Sequence, residues 1–335
     1  MSEILLNIHR GSVVENIIRG DLVVTDQNGR TIACCGQTDK LAYMRSAAKP
    51  IQALVGLDAG IVEAYDITEE ELAVFCASHN GESFHVAAVR SVLHKIGLTE
   101  HDLRCGADYS YNSKIKAEMI KKGLKKSTLF NNCSGKHTLM LAVCQKKGWS
   151  IEDYYLPDHP LQQSILAKIA YYTGVDKQQI TIGVDGCGVP VFAMPLVNMA
   201  MAYAKLANPA QMCLQEAAAA KKIVKAMTSY PHMIAGTGEF CTALMTATQG
   251  RIIGKKGSDG IYCSACLGGP AIAVKIEDGN MRALYPVMMS IYKQLELLSK
   301  NEQEALAPFA AWDNINCRGQ KVGGAETVFR LEKYF

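Results

Sequence analysis

A serine and a lysine three positions apart, Ser46 and Lys49, stand in the stretch RSAAKPIQAL. Because proline lacks the N–H that a helix interior needs, Pro50 places the start of a helix near Ser46. The Ser46 hydroxyl would then lie at the positive end of the helix dipole, where an oxyanion is stabilised, and Lys49 would follow on the same face. A partly buried lysine there should lose affinity for its proton and could activate the serine as a general base.

The spacing of this pair is not specific by itself. Two other pairs share it, Ser113 with Lys116 and Ser290 with Lys293. In penicillin-binding proteins and serine β-lactamases, however, a nucleophilic S-x-x-K is followed by S-x-N and then by K-x-G on a strand. The chain has both triplets in that order, Ser78-His79-Asn80 and Lys255-Lys256-Gly257. Each triplet also occurs elsewhere, at Ser110-Tyr111-Asn112 and Lys146-Lys147-Gly148. The order and the local context therefore favour the first set.

Two isolated cysteines stand at turns, beside other potential metal ligands. The stretch CSGKH, which begins at Cys133, is not a phosphate-binding loop, since Phe130 and His137 replace the glycine and the Ser or Thr of that motif. Lys136 lies in the same stretch, and Cys187 stands between glycines in VDGCGVP. The two thiols could be buried as small hydrophobes. They could also hold zinc together with His137 or Lys136, because thiolates select zinc among common cellular metals.

Length and composition are those of a globular chain with a large core. The 335 residues are 49% hydrophobic and 20% charged, which excludes disorder. The 35 basic and 32 acidic residues leave a net charge of +3, which gives no indication of a nucleic-acid partner. No apolar stretch approaches the ~20 residues of a membrane span, and the start MSEILLNIHRGS lacks the pattern of a signal peptide. We therefore expect a cytoplasmic protein without a membrane partner, with its 12 cysteines reduced.

Strands at both ends of the chain must position these motifs. Alternating apolar residues over the first 35 positions predict an antiparallel sheet with a tight hairpin at Asn28-Gly29, both at positive φ. Strand-like runs return after about residue 225, with a second hairpin at Glu277-Asp278-Gly279-Asn280. A helix over 286–299 and a polar tail are predicted to follow.

Between these runs the pattern is mostly helical, with apolar residues at a period of 3.6. We therefore predict a single α/β domain over residues 1–335, with an antiparallel sheet built from both termini. The sheet is expected from about 1–45 and 230–335, and the helical subregion over about 46–229.

Taken together, the motifs resemble those of a known enzyme family. They are SAAKPIQAL, CASHNGE, NNCSGKHTLML, HPLQ, GVDGCGVP, GKKGSDG and AVKIEDG. In this order, from about Arg10 to Arg282, the chain closely resembles the L-asparaginase II family, the rhizobial-type asparaginases. The resemblance implies an α/β fold like that of serine β-lactamases and penicillin-binding proteins. It also implies L-asparagine as the small-molecule substrate, and a homodimer.

The resemblance further implies roles for particular residues. It implies two serine–lysine pairs, Ser46 with Lys49 and Ser78 with Lys255. It implies a zinc ion that assists substrate binding, held by Cys133, Lys136 and Cys187. It also implies substrate contacts at Arg45, Asn80, His137 and Asp185. Among these, the arginine would meet a carboxylate and the aspartate an α-ammonium group.

The chain departs from the family pattern at three places. Ile18 stands where a histidine is common, and Glu239 and Cys241 stand where an Arg–Asp pair is common. The segment Gly257-Ser258-Asp259-Gly260 replaces G-A-E-G. The preferred amide, asparagine or glutamine, therefore stays open.

The leading hypothesis is hydrolysis of the asparagine side-chain amide to aspartate and ammonia through an acyl-enzyme on one of the two serines. Ser46 is favoured because Pro50 fixes it at a helix terminus. One alternative is another serine amidohydrolase of the same fold, acting on glutamine, a peptide or a β-lactam. The other is a non-catalytic protein that binds zinc and an amino acid.

Overall fold

A computed structural model describes residues 1–334. The strands are β1 Glu3–Arg10, β2 Val13–Thr25, β3 Thr31–Cys35, β4 Leu41–Tyr43, β5 Thr181–Val184, β6 Pro190–Pro195, β7 Ile252–Gly257, β8 Ile261–Cys266, β9 Ala271–Ile276, β10 Asp313–Ile315, β11 Lys321–Thr327 and β12 Glu332–Lys333. The α-helices are α1 Lys49–Asp58, α2 Ile61–Ala64, α3 Glu69–Phe75, α4 Ser83–Lys95, α5 Ser113–Lys121, α6 Ser134–Lys147, α7 Pro160–Thr173, α8 Leu196–Ala207, α9 Leu214–Ser229, α10 Pro231–Ile234, α11 Phe240–Ala247, α12 Met281–Gln294, α13 Lys300–Ala305 and α14 Ala307–Ala310. None of these helices combines the length and the apolar composition that a membrane span requires.

The chain divides into two compact units. One comprises residues 1–47, 194–208 and the chain from 243 onward, and the other comprises residues 48–193 and 209–242. The single domain with sheet and helical subregions stays a prediction. Helix α8, however, belongs to the sheet unit although the sequence places it among the helices.

The sheet unit is built around an antiparallel sheet with the order β10-β11-β1-β2-β9-β8-β7, in which β3 also pairs with β2, and β12 with β3. Strands from both ends of the chain therefore lie side by side, which confirms the predicted α/β class with an antiparallel sheet from both termini. Strand β8 is buried along its whole length. Helix α8 packs on β8 and β9, and Tyr292 of α12 donates a hydrogen bond of 2.7 Å to Ser264 of β8.

Helix α6 lies at the centre of the helical unit. It contacts α1, α3, α4 and α7, and residues 134–144 are all buried. A helix that is buried all round needs small residues where its neighbours come closest. Gly135 is such a residue, because a Cβ atom there would lie 2.2 Å from the carbonyl oxygen of Val74 in α3.

The first predicted hairpin is present, but its turn differs from the prediction. The loop runs from Asp26 to Arg30, with a hydrogen bond of 2.8 Å from the Asp26 N–H to the Arg30 carbonyl. Gly29 has a φ of 84°, whereas Asn28 is not among the residues at positive φ. The Asp26 carboxylate accepts hydrogen bonds from the N–H groups of Asn28 and Arg30. It therefore stabilises a longer loop than a two-residue turn.

The second predicted hairpin is wrong. Strand β9 ends at Ile276, and the side chain of Asn280 caps α12 by accepting hydrogen bonds from the next N–H groups. The helix begins at Met281 and contains Pro286, so this proline does not mark its start. The predicted polar tail is also wrong, since it supplies strands β10, β11 and β12 to the sheet.

Candidate active site

Ser46 lies in a 3-10 turn, Arg45–Ala48, that leads into α1. Its side chain is buried. Pro50 is in the first turn of α1, where its missing N–H removes no hydrogen bond of the helix. The predicted helix start near Ser46 is therefore confirmed to within three residues.

Lys255 lies on β7 in the sheet unit. Its side chain has no exposed surface, and its Nζ donates a hydrogen bond of 2.9 Å to the Lys256 carbonyl. Two positions further on, a Cβ atom at Gly257 would lie 2.9 Å from the carbonyl oxygen of Met44. The glycine of the K-x-G triplet thus allows the end of β7 to pass close to the segment that carries Ser46.

Arg45 and Asp259, both in the sheet unit, form an ion pair. Both residues lie in the left-handed region, with φ of 49° and 59° respectively. Such a conformation is unfavourable for residues other than glycine and persists where the surroundings hold it. The predicted carboxylate-binding arginine therefore already contacts a protein carboxylate, and its role toward substrate stays a prediction.

Lys49 contacts Ser78 within the helical unit. The Lys49 side chain is 1% exposed, and its Nζ lies 2.9 Å from Ser78 Oγ. The same Nζ donates hydrogen bonds to the carbonyl oxygens of Ala77, at 2.7 Å, and Asn132, at 3.2 Å. The sequence does not predict this contact, because the family resemblance pairs Ser78 with Lys255.

Burial lowers the pKa of Lys49, because a charged ammonium group loses its hydration inside the protein. The sulfurs of Cys133 and Cys187 act in the opposite direction, and the charge of Lys136 lowers the pKa further. The net direction is downward, as the sequence predicts. A lysine that releases its proton readily can accept one from a hydroxyl group at hydrogen-bond distance.

Asn80, the third residue of the S-x-N triplet, is buried beside a carboxylate. Its Nδ2 donates to Glu82 at 3.4 Å. Among the described residues, no group pairs with Asn80 Oδ1, which is buried. The competing triplet has a structural role, since Ser110 Oγ donates a hydrogen bond of 2.6 Å to the Asn80 carbonyl.

Glu82 is a site candidate that the sequence motifs do not indicate. This buried carboxylate accepts hydrogen bonds from the N–H and the hydroxyl of Thr237 and from Asn112 Nδ2. Burial alone would raise the pKa of Glu82, but these hydrogen bonds outweigh it and the net direction is downward. Glu82 is therefore an ionised side chain that links Asn80 to the loop containing Thr237.

Two cysteines and one aspartate form a compact group in the helical unit. One ligand atom from each of Cys133, Asp185 and Cys187 lies within 4.8 Å of the others. Lys136 Nζ lies 3.2 Å from Cys187 Sγ and 3.8 Å from Asp185 Oδ2. Cys133 precedes α6, whereas Asp185 and Cys187 lie in the turn between β5 and β6. The predicted zinc ligands are thus brought together, with Asp185 beside them.

The ionisable groups of this cluster favour one thiolate. A hydrogen bond from Cys133 and the charge of Lys136 lower the pKa of Cys187 to about 5, against the effect of burial. The hydrogen bond to Cys187 and burial raise the pKa of Cys133. Burial would lower the pKa of Lys136, but the neighbouring sulfurs and Asp185 raise it. These shifts favour a thiolate at Cys187 beside the ammonium group of Lys136, while Cys133 keeps its proton.

His137 is not among the residues whose ligand atoms lie together in this cluster. Its ring has no exposed surface, and Nδ1 lies 2.7 Å from the Tyr154 hydroxyl. Burial lowers the pKa of His137 to about 3, so the ring is neutral. Of the two residues that the sequence offers to complete a thiolate site, Lys136 is the one placed at Cys187. A substrate contact through His137 stays a prediction.

One family model matches nearly the whole chain. A model described as L-asparaginase II matches residues 6–327. No curated protein matches this chain. Mglu in its native form is similar at 16% identity and a TM-score of 0.38, over 84% of this chain and 66% of that chain. The chain therefore spans just under two thirds of that protein's length.

A second solved structure is simvastatin synthase LovD from Aspergillus terreus. It is similar at 13% identity and a TM-score of 0.43, over 83% of this chain and 93% of that chain. Both TM-scores are low, and the assignment rests on the family match, which takes in nearly the whole chain. The protein belongs to the L-asparaginase II family.

Proposed function

We propose that the protein hydrolyses the side-chain amide of L-asparagine to L-aspartate and ammonia through a serine–lysine acyl-enzyme mechanism. The observation that carries this proposal is the contact between the buried Lys49 Nζ and Ser78 Oγ at 2.9 Å, with a lowered pKa for the lysine. A depressed lysine pKa next to a serine hydroxyl allows Lys49 to exchange protons with Ser78, which the proposed relay requires.

In the proposed first step, Ser46 attacks the amide carbon and Lys49 accepts the proton of its hydroxyl. The spacing of three residues along a helical segment supports this pair, because it places the two side chains on one face. In this proposal, backbone N–H groups at the start of this helical segment stabilise the oxyanion. The Ser78 hydroxyl, bonded to Lys49, then passes a proton to the departing ammonia.

In the second half of the reaction, the same groups act in reverse. Lys49, again neutral, accepts a proton from a water molecule that attacks the acyl carbonyl, and the Ser46 oxygen leaves with a proton. The product is L-aspartate. Lys255, which the family resemblance pairs with Ser78, is buried and carries the second amine of the proposed machinery.

The thiol cluster fits a zinc site. Two thiols and an amine nitrogen, from the start of α6 and the turn between β5 and β6, are donors that could hold Zn²⁺, and the lowered pKa of Cys187 would supply one thiolate at neutral pH. In this proposal Cys133, Lys136 and Cys187 hold the ion, which supplies a positive charge that assists substrate binding. Since Lys136 must lose its proton to coordinate, the affinity for zinc should fall as the pH falls.

Ammonia release from L-asparagine and, separately, from L-glutamine tests the proposed substrate. We expect release from L-asparagine, and a lower KM when zinc is added. Release from L-glutamine alone would replace asparagine by glutamine in this proposal. Release from neither would favour a non-catalytic amino-acid-binding protein. Light scattering of the same sample tests the proposed homodimer.

A diazoketone analogue of the amide substrate tests the choice of nucleophile. Such a compound alkylates the attacking oxygen, so peptide mass spectrometry locates the adduct. We expect it on the peptide that contains Ser46, and no adduct in Ser46→Ala. An adduct on Ser78 in the wild type would assign attack to that residue.

A further inference from the structure

The side-chain amide of Asn80 can take two orientations, which differ in whether the nitrogen or the oxygen faces Glu82. An ionised carboxylate only accepts hydrogen bonds, so the amide nitrogen of Asn80 must face it. The distance from Asn80 Nδ2 to Glu82 Oε1 is 3.4 Å. The amide oxygen is then turned to the other side, where it is buried and has no partner among residues 1–334.

Glu82 is itself held in one position by three donors, of which the Thr237 N–H and the Asn112 amide cannot reverse. The Thr237 N–H donates to Oε2 at 3.2 Å, and the Thr237 hydroxyl donates at 2.9 Å. Asn112 Nδ2 donates to Oε1 at 2.9 Å, while its Oδ1 caps α5 and so fixes the orientation of that amide. A backbone N–H cannot become an acceptor, and these contacts therefore keep position 82 an acceptor on both oxygens.

Gly236 fixes the plane of the Asn80 amide. A Cβ atom at Gly236 would lie 2.2 to 2.3 Å from the nitrogen, carbon and oxygen of the amide group. The Asn80 amide thus lies directly against the backbone at Gly236, which has a φ of 119°. With its nitrogen held by Glu82 and its side against Gly236, the amide has one orientation.

We infer that Glu82 is a positioning residue that presents Asn80 Oδ1 as a hydrogen-bond acceptor for an N–H group of the substrate. A buried acceptor without a partner costs free energy in the empty protein, and a substrate donor removes that cost. The contact between Oδ1 and substrate rests on the proposed function and on the substrate contact that the family resemblance implies at Asn80. Substrates with an N–H at this point are selected over isosteres that carry an acceptor there.

The test is a double-mutant cycle on kcat/KM with L-asparagine, using wild type, Glu82→Gln, Asn80→Ala and the double variant. In Glu82→Gln, the new amide has one oxygen and one NH₂ group, but both positions face donors. The NH₂ group must therefore face another donor, and Asn80 loses the acceptor that orients its amide. We expect kcat/KM to fall about tenfold or more in the wild-type background and less than about threefold in Asn80→Ala. The loss should appear mainly in KM.

Equal losses in both backgrounds would overturn the inference, since Glu82 would then act independently of Asn80. Glu71→Gln is the matched control, because Glu71 is also a buried carboxylate but is held by Ser91 and Lys95, and it should leave kcat/KM within about threefold. If Glu82→Gln does not fold, Gly236→Ala serves instead. It displaces the Asn80 amide directly, and its effect should likewise vanish in Asn80→Ala.

Atomic-resolution crystal structures of wild type and Glu82→Gln separate this inference from the proposed function. We expect the Asn80 amide to turn its oxygen toward Gln at position 82 or to leave Gly236. An unchanged amide in the variant would overturn the inference even if the enzyme hydrolyses asparagine. A changed amide in a protein that releases no ammonia would refute the proposed function and retain the orienting role of Glu82.

Discussion

Lys49 and Ser78 are 29 positions apart in the chain, yet Lys49 Nζ lies 2.9 Å from Ser78 Oγ. Two carbonyl oxygens also face this amine. The lysine therefore serves two elements of the proposed machinery, since it follows Ser46 in sequence and contacts Ser78 in space.

Replacing Lys49 by methionine, which has a similar length and no charge, should reduce kcat by about 10³-fold, in the range typical for loss of a general base. The serine hydroxyl would lose its proton acceptor. Ammonia release measures the effect. Lys116→Met is the matched control, because Lys116 has the same spacing from a serine but lies exposed on α5. Comparable losses in both variants would contradict a specific role for Lys49.

The zinc proposal predicts a metal content that depends on Cys187. Wild-type protein should bind roughly one equivalent of zinc, and Cys187→Ser should bind far less, because the acidic thiol supplies a thiolate ligand. Metal analysis after dialysis measures this without reference to activity. Cys213→Ser is the control, since Cys213 is an exposed thiol. Full occupancy in Cys187→Ser would place the metal elsewhere.

Glu82 should contribute to stability in a pH-dependent way. Its hydrogen bonds hold its pKa below the ordinary value of 4.5 despite burial, so below that value the unfolded state binds more protons than the folded state. The stabilisation is therefore present above pH 4.5 and is lost as the pH falls through the folded-state pKa.

Urea unfolding between neutral and acid pH measures this contribution. The free energy of unfolding should fall more steeply with acidification in the wild type than in Glu82→Gln, which cannot titrate at this position. Parallel curves for the two proteins would show that the Glu82 carboxylate has the same pKa in the folded and unfolded states.

Gly135→Ala should destabilise the helical unit by about 1–3 kcal/mol, the usual cost of overpacking. The added Cβ would lie 2.2 Å from the Val74 carbonyl oxygen, so α6 and α3 would have to separate. Gly186→Ala is the control, since nothing lies within 4 Å of a Cβ at that position. Thermal unfolding of both variants checks the expectation, and equal midpoints would show that the helices can adjust.

Local rules predicted the surroundings of several candidate site residues. Pro50 located a helix start because proline costs no hydrogen bond in the first turn, although Pro286 lies inside α12. Motif order favoured Lys255, which lies on a buried strand, over its competitor at Lys146. Cys133 and Cys187 could be singled out because their positions beside glycines and a lysine match a known family pattern.

Contacts that depend on tertiary packing could not be predicted in this way. The bond between Lys49 and Ser78, and the one between Glu82 and Thr237, join segments whose relative placement no local pattern encodes. Asn280 shows a different failure, in which a side chain that resembles a turn residue caps a helix instead. Turn and cap use the same chemistry, and only the following segment distinguishes them.

The pairing of β1 with β11 and of β3 with β12 has a consequence for how the chain folds. Residues near position 6 align with residues near 327, and residues near 34 with those near 332. During synthesis, β1 and β3 cannot form these pairs until almost the entire chain has been made, because β11 and β12 lie near its end. Contacts between such distant segments slow folding, so the nascent N-terminal strands spend that time with unpaired edges that chaperones would shield.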